Sequence, residues 1–359
     1  MASGTGILIP LVVNLLSLLM GYDDAELLFV GDAMQHQAQI DNARQADGSW
    51  DYSGCFDGLK TTIEGADLAV VNLETPLGEK PHTGYPCFNA PAAWAEALRD
   101  AGFDLFLTAN NHTLDRHDRG LRATIDSLDN RHLRHIGTYK DDAARKLAIP
   151  AVYDINNIRV GFLNYTYGTN GIVPGKDVRV DYIDPRKIAA DIAATKAAGA
   201  ELICVCMHWG DEYRLTPNAT QKEQARMLEE LGADIIIGGH PHVVQPIELR
   251  DNRYHPHKKV YLVWSLGNFI SNMKTADTRG GLMVRVFLHR GDDGIARVDS
   301  GQYELLFTVP PTAGANKRFK VVRARNDEEI PPMWHGRRNE FVRNAKDVFD
   351  KYNIGVEER

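Results

Sequence analysis

ADIIIGGHPH, residues 233–242, is an apolar run that stops at a glycine-flanked pair of histidines. A short, continuous apolar run of this kind is typical of a strand that is buried on both faces of a sheet. The same order, an apolar run followed by a polar loop, occurs in ELLFVGDAM (26–34), DLAVVNLE (67–74), FDLFLTANNH (103–112) and AELICVCMHWG (200–210). Helical patterns lie between or after these runs, over residues 56–66, 91–101, 119–130, 185–199 and 218–232. The alternation predicts an α/β domain.

The remaining segments predict additional strands and a polar C-terminal part. Residues 149–167 have the alternation and the central polar turn of a hairpin. Residues 259–270 and 280–290 indicate two strands of a sheet with some antiparallel pairing, and residues 337–352 indicate a terminal helix. We therefore divide the chain into a hydrophobic N-terminal segment (1–22), one α/β domain (23–310) and a polar C-terminal extension (311–359).

The N-terminal segment contains ILIPLVVNLLSLLM, residues 7–20. Its length suits the apolar centre of a secretory signal or a short anchor better than a full membrane span, which needs about 20 apolar residues. No Lys or Arg precedes Arg44, and no clear cleavage site follows, so a buried helix or strand and a start-site artefact stay open as alternatives. We expect an extracytoplasmic protein, membrane-anchored or secreted, and otherwise a cytoplasmic one.

The composition is that of a folded globular protein. The 359 residues are 43% hydrophobic, and 41 Lys and Arg stand against 48 Asp and Glu, for a net charge of −7. This balance argues against a nucleic-acid partner, which needs a basic face. Four cysteines are too few for a disulfide scaffold. We expect Cys204 and Cys206 to be buried and reduced, whereas Cys55 and Cys87 could pair in an exported protein.

Five predicted strand ends carry side chains that can bind a metal ion. They are Asp32 and His36; Asn72 and Glu74; Asn110, Asn111, His112 and Asp115; His208; and His240 and His242. Ligands of α/β sheets bind at the carboxyl ends of strands, so these side chains should share one cleft. Imidazole and carboxylate together favour Mn, Zn or Fe over Mg or Ca. A shared carboxylate can bridge two ions about 3.5–4 Å apart. We therefore expect divalent transition metals, two in number.

Each of these motifs has a simpler interpretation when it is taken alone. A single histidine at a strand end is more often structural, Asn-Asn-His also suits a turn, and Gly-Asp also suits a helix cap. Five strand ends that all carry metal-competent side chains are hard to explain as independent accidents. Their joint occurrence predicts a metal-binding or polar active site.

The ordered set GDAMQH, NLE, ANNHTLD, MHWGDE, GGHPHVVQPIE and SLGNF resembles the CapA/PgsA-type poly-γ-glutamate capsule biosynthesis proteins. That family is itself similar to the calcineurin-like metallophosphoesterases. The likeness covers roughly residues 26–310. It implies a four-layer α/β/β/α sandwich of the metallo-dependent phosphatase type. It also implies a role in assembling an anionic polymer at the bacterial cell surface, together with membrane-associated capsule synthesis machinery.

Carried over residue by residue, the resemblance implies a set of metal ligands and a catalytic pair. The ligands are Asp32, His36, Glu74, Asn111, His208, His240 and His242. His112 would be the catalytic acid, and Asp115 would orient it. Two positions depart from the phosphoesterase pattern: His36 follows Asp32 by four residues rather than two, and Glu74 stands where the bridging Asp is expected. These departures leave the role of His36 and the efficiency of phosphoester hydrolysis open.

Further residues are expected to bind substrate: Asn72, Asn110, Trp209, Asn268 and Arg116. For Trp209, packing over the site is an equal alternative. For Asn268 the alternative is a turn cap, and for Arg116 a solvated helix start. The leading functional hypothesis is a metal-dependent hydrolase that acts on a phosphoester or an anionic polymer with metal-activated water. The alternatives are a non-hydrolytic capsule assembly or export component and a metal-dependent amide hydrolase for γ-glutamyl or cell-wall substrates.

Overall fold

A computed structural model describes residues 24–359 of the chain. The hydrophobic segment predicted at residues 1–22 lies outside the described residues. Over the described part, no helix combines the length and the apolar character that a membrane span requires.

Strands and short helices alternate through most of the chain. The strands are β1 (Asp24–Ala33), β2 (Leu68–Leu73), β3 (Leu105–Leu107), β4 (Arg134–Ile136), β5 (Thr138–Tyr139), β6 (Ala151–Ile155), β7 (Ile158–Thr166), β8 (Arg179–Val180), β9 (Leu202–His208), β10 (Ile235–Gly239), β11 (Ile247–Asp251), β12 (Lys259–Val263), β13 (Asn268–Ile270), β14 (Gly280–Arg290), β15 (Ala296–Val309), β16 (Lys320–Arg323) and β17 (Glu357–Glu358). The α-helices are α1 (Gln37–Ala43), α2 (Asp57–Glu64), α3 (Ala93–Asp100), α4 (His117–Asp129), α5 (Asp142–Ala148), α6 (Pro185–Ala197), α7 (Ala219–Glu230) and α8 (Pro332–Tyr352).

Most strands belong to two mixed sheets. The nine-stranded sheet has the order β16-β15-β14-β1-β2-β3-β4, with β13 beside β1 and β17 beside β15. The six-stranded sheet has the order β11-β12-β10-β9-β7-β6. The neighbours β1, β2 and β3 are parallel, and so are β7, β9, β10 and β12, whereas β14 is antiparallel to both β1 and β15. The strands that precede the predicted site therefore point in one direction within each sheet.

The two sheets pack face to face, and helices cover their outer faces. Along β1, Phe29 belongs to the core shared with the six-stranded sheet, and Val30 belongs to the core under α2 and α3. This alternation follows from the period of two in a strand. Helices α6 and α7 cover the six-stranded sheet with apolar residues such as Ile188 and Leu228. The result is the four-layer α/β/β/α arrangement expected from the sequence.

The predicted hairpin is confirmed, because β6 and β7 pair antiparallel across Asn156 (φ 50°) and Asn157 (φ 66°). The single strand predicted over residues 259–270 is wrong. The segment forms β12 in the six-stranded sheet and then β13 in the nine-stranded sheet. Gly267, at φ 66°, adopts the left-handed conformation that a crossing of this kind requires and that glycine adopts without strain.

The predicted C-terminal extension contributes β16 and β17 to the nine-stranded sheet, and both strands pair with β15. Its helix begins at Pro332 rather than at residue 337. Pro332 is the first helical residue, where proline's missing N–H costs nothing. The domain division at residue 310 stays a prediction.

Candidate metal centre

The polar residues of five strands meet at one end of the sandwich. Strands β1, β2 and β3 of the nine-stranded sheet deliver Asp32, Glu74 and the loop of residues 108–115. Strands β9 and β10 of the six-stranded sheet deliver His208 and the loop that carries His240 and His242. These side chains are buried. The site therefore lies across the two sheets and depends on their docking.

Two groups of potential ligands share one carboxylate. In the first group, ligand atoms of Asp32, Glu74 and His208 lie within 4.8 Å of one another, and in the second group so do those of Glu74, His240 and His242. Glu74 Oε1 lies 3.6 Å from His208 Nε2 and 3.8 Å from His242 Nε2. Glu74 is thus placed between the two groups.

Two of these ligand atoms have no hydrogen-bond partner. Glu74 Oε1 and His240 Nδ1 are both buried, and neither makes a hydrogen bond. A buried polar atom without a partner normally costs about 1–3 kcal/mol, so such atoms require an explanation. A cation bound between Glu74 and His240 would satisfy both atoms. The donor set therefore fits a divalent metal ion of the imidazole- and carboxylate-binding class.

Burial favours the neutral form of His208 and His240, which is the form that binds metals. It lowers the pKa of His208 well below its usual value, and the neighbouring His240 adds to the effect. Burial, then the charge of His242, lowers the pKa of His240 to about 3. Burial also opposes the charged form of His242, but the hydrogen bond with Asp32 prevails and raises its pKa. Neutral imidazoles have a free nitrogen for coordination.

The two carboxylates differ from each other. Burial alone would raise the pKa of Asp32, but the hydrogen bond with His242 and the charges of His208 and His242 hold it below its usual range. Burial, reinforced by the negative charge of Asp32, raises the pKa of Glu74. Two carboxylates in a dry site repel each other unless a positive charge lies between them. This arrangement favours a bound cation.

Three asparagines connect the ligand-bearing loops. The Asn72 amide donates to Asp32 Oδ1 at 2.8 Å, and the Asn110 amide donates to Asn72 Oδ1 at 3.2 Å. Asn111 Oδ1 lies 2.9 Å from His208 Nε2, so both atoms face the same point. Asn72 and Asn110 are therefore placed to support Asp32, while Asn111 is placed as a neutral oxygen donor. Their predicted functional roles stay predictions.

His112 is paired with Asp115, as the sequence suggested. Its Nδ1 lies 2.8 Å from Asp115 Oδ2, and the same oxygen accepts a hydrogen bond from the Phe88 amide at 2.8 Å. The edge of the His112 ring meets Phe88, with the centroids 4.6 Å apart. Asp115 thus fixes the orientation of the His112 ring through Nδ1, and Nε2 remains for a different partner.

The loop after β10 has an unusual backbone. His240 (φ 96°) and His242 (φ 57°) are both left-handed, and the amide of Tyr213 donates to the carbonyl of the intervening Pro241 at 2.8 Å. For a non-glycine residue a left-handed backbone costs on the order of 1 kcal/mol. Such a backbone is retained where it directs two side chains toward one point. The rings of His240 and His242 both reach Glu74.

His36 takes a different position from the one that a ligand needs. It belongs to neither group of potential ligands found among residues 24–359. Its Nδ1 faces the amide of Asn272 at 3.3 Å, and its ring contacts the Phe88 ring, with 5.3 Å between centroids. The extra two residues between Asp32 and His36 carry the ring past the ligand position. Its assignment as a ligand stays a prediction that the geometry does not favour.

Trp209, predicted to bind substrate, lies in the core instead. It is 1% exposed, and its indole donates to the carbonyl of Trp264 at 3.0 Å. Trp209 follows His208 directly, and successive residues of an extended chain point to opposite sides, so only one of the two can face the cleft. The structure therefore supports the packing alternative for Trp209.

Asn268 is fully buried and supports a ligand. Its Oδ1 lies 3.0 Å from His242 Nδ1, and its amide donates to the carbonyl of Thr278 at 2.9 Å. Asn268 therefore holds the His242 ring, and its predicted role in substrate binding stays a prediction. Arg116 is half-buried and precedes α4 as its N-cap.

All four cysteines are free thiols. Cys204 and Cys206 are buried, as predicted. Cys55 is buried and Cys87 is exposed, and the two do not form the disulfide that we considered.

Tyr167 is a residue beside the site that the sequence analysis did not predict. This residue is 47% exposed, and its ring lies 4.5 Å from the ring of His240. It follows the end of β7, which pairs with β9 in parallel register. The polar stretch after the hairpin strand was a usable signal, but the pairing of β7 with β9 was needed to place it beside the site.

The chain is similar to known proteins over most of its length. A family model described as bacterial capsule synthesis protein PGA_cap matches residues 26–273. The PGA biosynthesis protein CapA of Bacillus subtilis is 26% identical over 310 residues, which are 82% of this chain and 76% of that protein. The capsule biosynthesis protein CapA of Bacillus anthracis is 26% identical over 342 residues, 90% of this chain and 79% of that protein.

A solved structure, the NAD nucleotidase of Haemophilus influenzae, resembles this chain with a TM-score of 0.50 and 11% identity. The similarity covers 94% of this chain and 57% of the nucleotidase, so the chain spans a little more than half of that protein's length. At this identity the likeness concerns the fold. It confirms the predicted sandwich of the metallo-dependent phosphatase type.

Proposed function

We propose, from the premise that this chain belongs to the bacterial capsule synthesis protein PGA_cap family, that it is a metal-dependent hydrolase of phosphoesters that serves capsule assembly. The resemblance noted in the sequence agrees with this family. The observation that carries the hydrolase proposal is the position of Glu74 between two groups of ligands, with Oε1 unpartnered. A shared, buried carboxylate is what a pair of adjacent divalent ions requires.

In this proposal Asp32, Glu74, Asn111, His208, His240 and His242 hold two divalent ions. When bound, such ions lower the pKa of a water molecule and neutralise charge on a phosphoryl group. Residues of the chain itself hold the ligands in position. Asp32, Asn72 and Asn110 form a hydrogen-bonded series that keeps the ligand loops of the nine-stranded sheet in place.

His112 is proposed as the group that gives a proton to the leaving oxygen. Its Nδ1 is engaged by Asp115, so Nε2 is the nitrogen from which the imidazolium form of the ring would give up its proton. The Phe88 amide completes the hydrogen bonding of Asp115 and holds the carboxylate in one orientation. General acids of this type contribute about 10²–10⁴-fold to the rate.

The polymer and the location are further parts of the proposal. Two relatives are named for capsule or PGA biosynthesis, and we extend that role to this chain as assembly of an anionic, glutamate-containing surface polymer. We expect it to work with membrane-associated synthesis machinery on the outer side of the membrane, because of the apolar run at residues 7–20. Fractionation of cells that express the full chain would contradict this placement if the protein were found only in the cytosol.

The hydrolase proposal is tested by metal analysis and phosphoesterase assays on the same preparation. We expect close to two transition-metal ions per chain and activity on an aryl phosphodiester or monoester that EDTA abolishes and Mn²⁺ or Zn²⁺ restores. Glu74→Gln should lose both the metal and at least 100-fold of the activity. Glu79→Gln, an exposed carboxylate nearby, should retain both. Full activity in Glu74→Gln, or wild-type activity that EDTA leaves unchanged, would refute the proposal.

A panel that adds γ-glutamyl peptides separates the alternatives. EDTA-sensitive cleavage of γ-glutamyl peptides without phosphoester cleavage would replace the phosphoesterase with an amide hydrolase. If neither substrate class is cleaved with any metal, yet loss of the gene alters the surface polymer, the chain is a non-hydrolytic assembly component.

A further inference from the structure

Arg279 is a buried arginine without an ionic partner. It is 3% exposed, and its Nε and Nη1 atoms have no hydrogen-bond partner. Among residues 24–359, no carboxylate lies within salt-bridge distance of its guanidinium, although most of the chain's other buried or half-buried arginines have one. Asp277, two residues earlier, receives a hydrogen bond from Asn344 instead. The guanidinium is therefore a buried charge with unused donors.

The residues around Arg279 do not neutralise its charge. The Trp334 ring covers the guanidinium, with 4.9 Å from the guanidinium carbon to the ring centroid. Arg337, one turn along α8 from Trp334, brings a second positive charge, and burial together with Arg337 lowers the pKa of Arg279 to about 10.

A structural role explains these observations poorly. Packing on Trp334 accounts for the flat face of the guanidinium but leaves its N–H groups unsatisfied. A trapped water molecule would satisfy hydrogen bonds but would not neutralise a charge that repels Arg337. Burying an unpaired charge is costly, whereas an arginine fork binds a carboxylate or phosphate with two parallel hydrogen bonds. An anion would supply both the hydrogen bonds and the opposite charge that these contacts lack.

We propose that Arg279 is the centre of a second binding site that takes a small oxyanion, a carboxylate or a phosphate group. Arg337 contributes to its positive potential, and Trp334, which is half-buried, covers it from solvent. The ligand enters by displacing Trp334. The site is separate from the metal centre and does not depend on the proposed hydrolase activity.

The site is nevertheless connected to the metal centre. The carbonyl of Thr278, the residue before Arg279, accepts a hydrogen bond from Asn268 at 2.9 Å, and Asn268 contacts His242 at 3.0 Å. An anion at Arg279 would therefore fix the segment that holds a metal-ligand support. The carboxylates of a γ-glutamyl polymer and free phosphate are the two sources that the test must distinguish.

Thermal unfolding of the full chain in chloride buffer tests this proposal with two probes, potassium phosphate and γ-glutamylglutamate. At ten times the Kd, either probe that binds should raise the Tm by about 2 °C. Arg279→Met keeps the length of the side chain but removes the charge, and it should lose this rise. Arg343→Met removes an exposed arginine of α8, the helix that carries Trp334 and Arg337, and should retain the rise. Trp334 should report binding as a fluorescence change that Trp334→Phe removes.

The outcomes separate the possibilities. A rise with phosphate alone assigns a phosphate site, and a rise with γ-glutamylglutamate alone assigns a carboxylate site. An equal rise in Arg279→Met places the anion elsewhere and overturns the proposal. No rise in the wild-type protein with either probe also overturns it. If Arg279→Met does not fold, Arg279→Lys replaces it, and we expect a Kd at least tenfold weaker because the fork is lost.

Discussion

Single side chains decide what the metal centre can do, and His112 shows this most directly. Asp115 holds Nδ1 of the ring, and Nε2 is the nitrogen that we propose to transfer the proton. We predict that His112→Asn lowers kcat by about 10²–10⁴-fold, because the proton donor is lost. The metal content should stay unchanged, since His112 belongs to neither ligand group.

Steady-state kinetics with metal analysis on the same samples would measure this effect. His117→Asn is the matched control, because His117 is exposed and its left-handed backbone suits asparagine. Loss of metal in His112→Asn would show that the ring is a ligand rather than an acid.

His36 yields a prediction on pH. Burial lowers its pKa to about 4, from 6.5. The unfolded chain therefore binds more protons than the folded chain between these values, and stability is lost as the pH falls through this window. From pH 7 to pH 5, His36 should account for about 2 kcal/mol of the lost free energy of unfolding.

Denaturant titrations in EDTA at both pH values would measure this contribution. In His36→Gln the loss of stability should be smaller by that amount, while His257→Gln, an exposed site, should behave as the wild type. An unchanged pH dependence in His36→Gln would mean that the pKa of His36 is the same in the folded and the unfolded chain.

Most ligand candidates could be predicted at this scale because each directly follows an apolar strand. Asp32, Glu74 and His208 needed only the position of a strand end. The role of His36 could not be read in the same way, because two extra residues change where a loop side chain lands. The unpartnered state of Glu74 Oε1 could not be predicted either, because it depends on atoms from both sheets.

At the scale of elements, the passage from β12 to β13 shows where a sequence pattern reaches its limit. Residues 259–270 are apolar almost throughout, so nothing in the periodicity marks the change of sheet. The reason for the change of sheet lies in strand β1, which contacts Gly267. The amide of Asp32 donates to the carbonyl of Gly267 at 3.0 Å, and Gly31 approaches that same carbonyl closely. Only the packed structure reveals why two glycines stand there.

This contact gives a prediction on stability. A Cβ at Gly31 would lie 1.8 Å from the carbonyl oxygen of Gly267, which is backbone and cannot rotate away. Gly31→Ala should therefore lower the free energy of unfolding by about 2–3 kcal/mol, as overpacking of a core does. Gly168→Ala is the control, because no heavy atom lies within 4 Å of the added carbon. Equal denaturation midpoints for the two variants would contradict the close approach.

Helix α7 gives a second prediction at this scale. Asn218 accepts a hydrogen bond from the Gln221 amide at 2.8 Å, and Gln221 reaches back to the Asn218 amide at 3.0 Å. Asn218→Ala should cost about 1 kcal/mol, the usual value of an N-cap. Lys222→Ala, exposed on the same helix, should change stability by less than about 0.5 kcal/mol. Chemical denaturation of the two variants would measure both, and a cap worth nothing would show that the loop before α7 is fixed by other contacts.

For the whole molecule, the main consequence is that the two sheets share the ligands. Asp32 and Glu74 come from the nine-stranded sheet, and His208, His240 and His242 come from the six-stranded sheet. The sequence predicted a common cleft from the rule on strand ends. It could not assign each strand to a sheet, because buried strands of both sheets have the same apolar pattern.

Metal removal should therefore loosen the docking of the sheets. At 1,000 times its Kd, a bound ion adds about 4 kcal/mol to the free energy of unfolding. We predict that EDTA lowers the Tm and speeds amide exchange at the ends of β1, β2, β9 and β10. The outer helices α2 and α3 should change less. Hydrogen exchange with mass spectrometry would test this, and uniform protection with and without EDTA would argue against ligands shared between the sheets.

The position of β1 has a consequence for the growing polypeptide. This strand pairs with β2 on one side, whereas β14 covers most of its other edge and β13 pairs with its last residues. Roughly 250 residues must leave the ribosome between the two strands, which takes roughly 10–50 s at ordinary synthesis rates. During that time β1 has an open edge that other nascent chains can pair with. Chains that stop before residue 280 keep this edge, so truncated products of this gene should be aggregation-prone and dependent on chaperones.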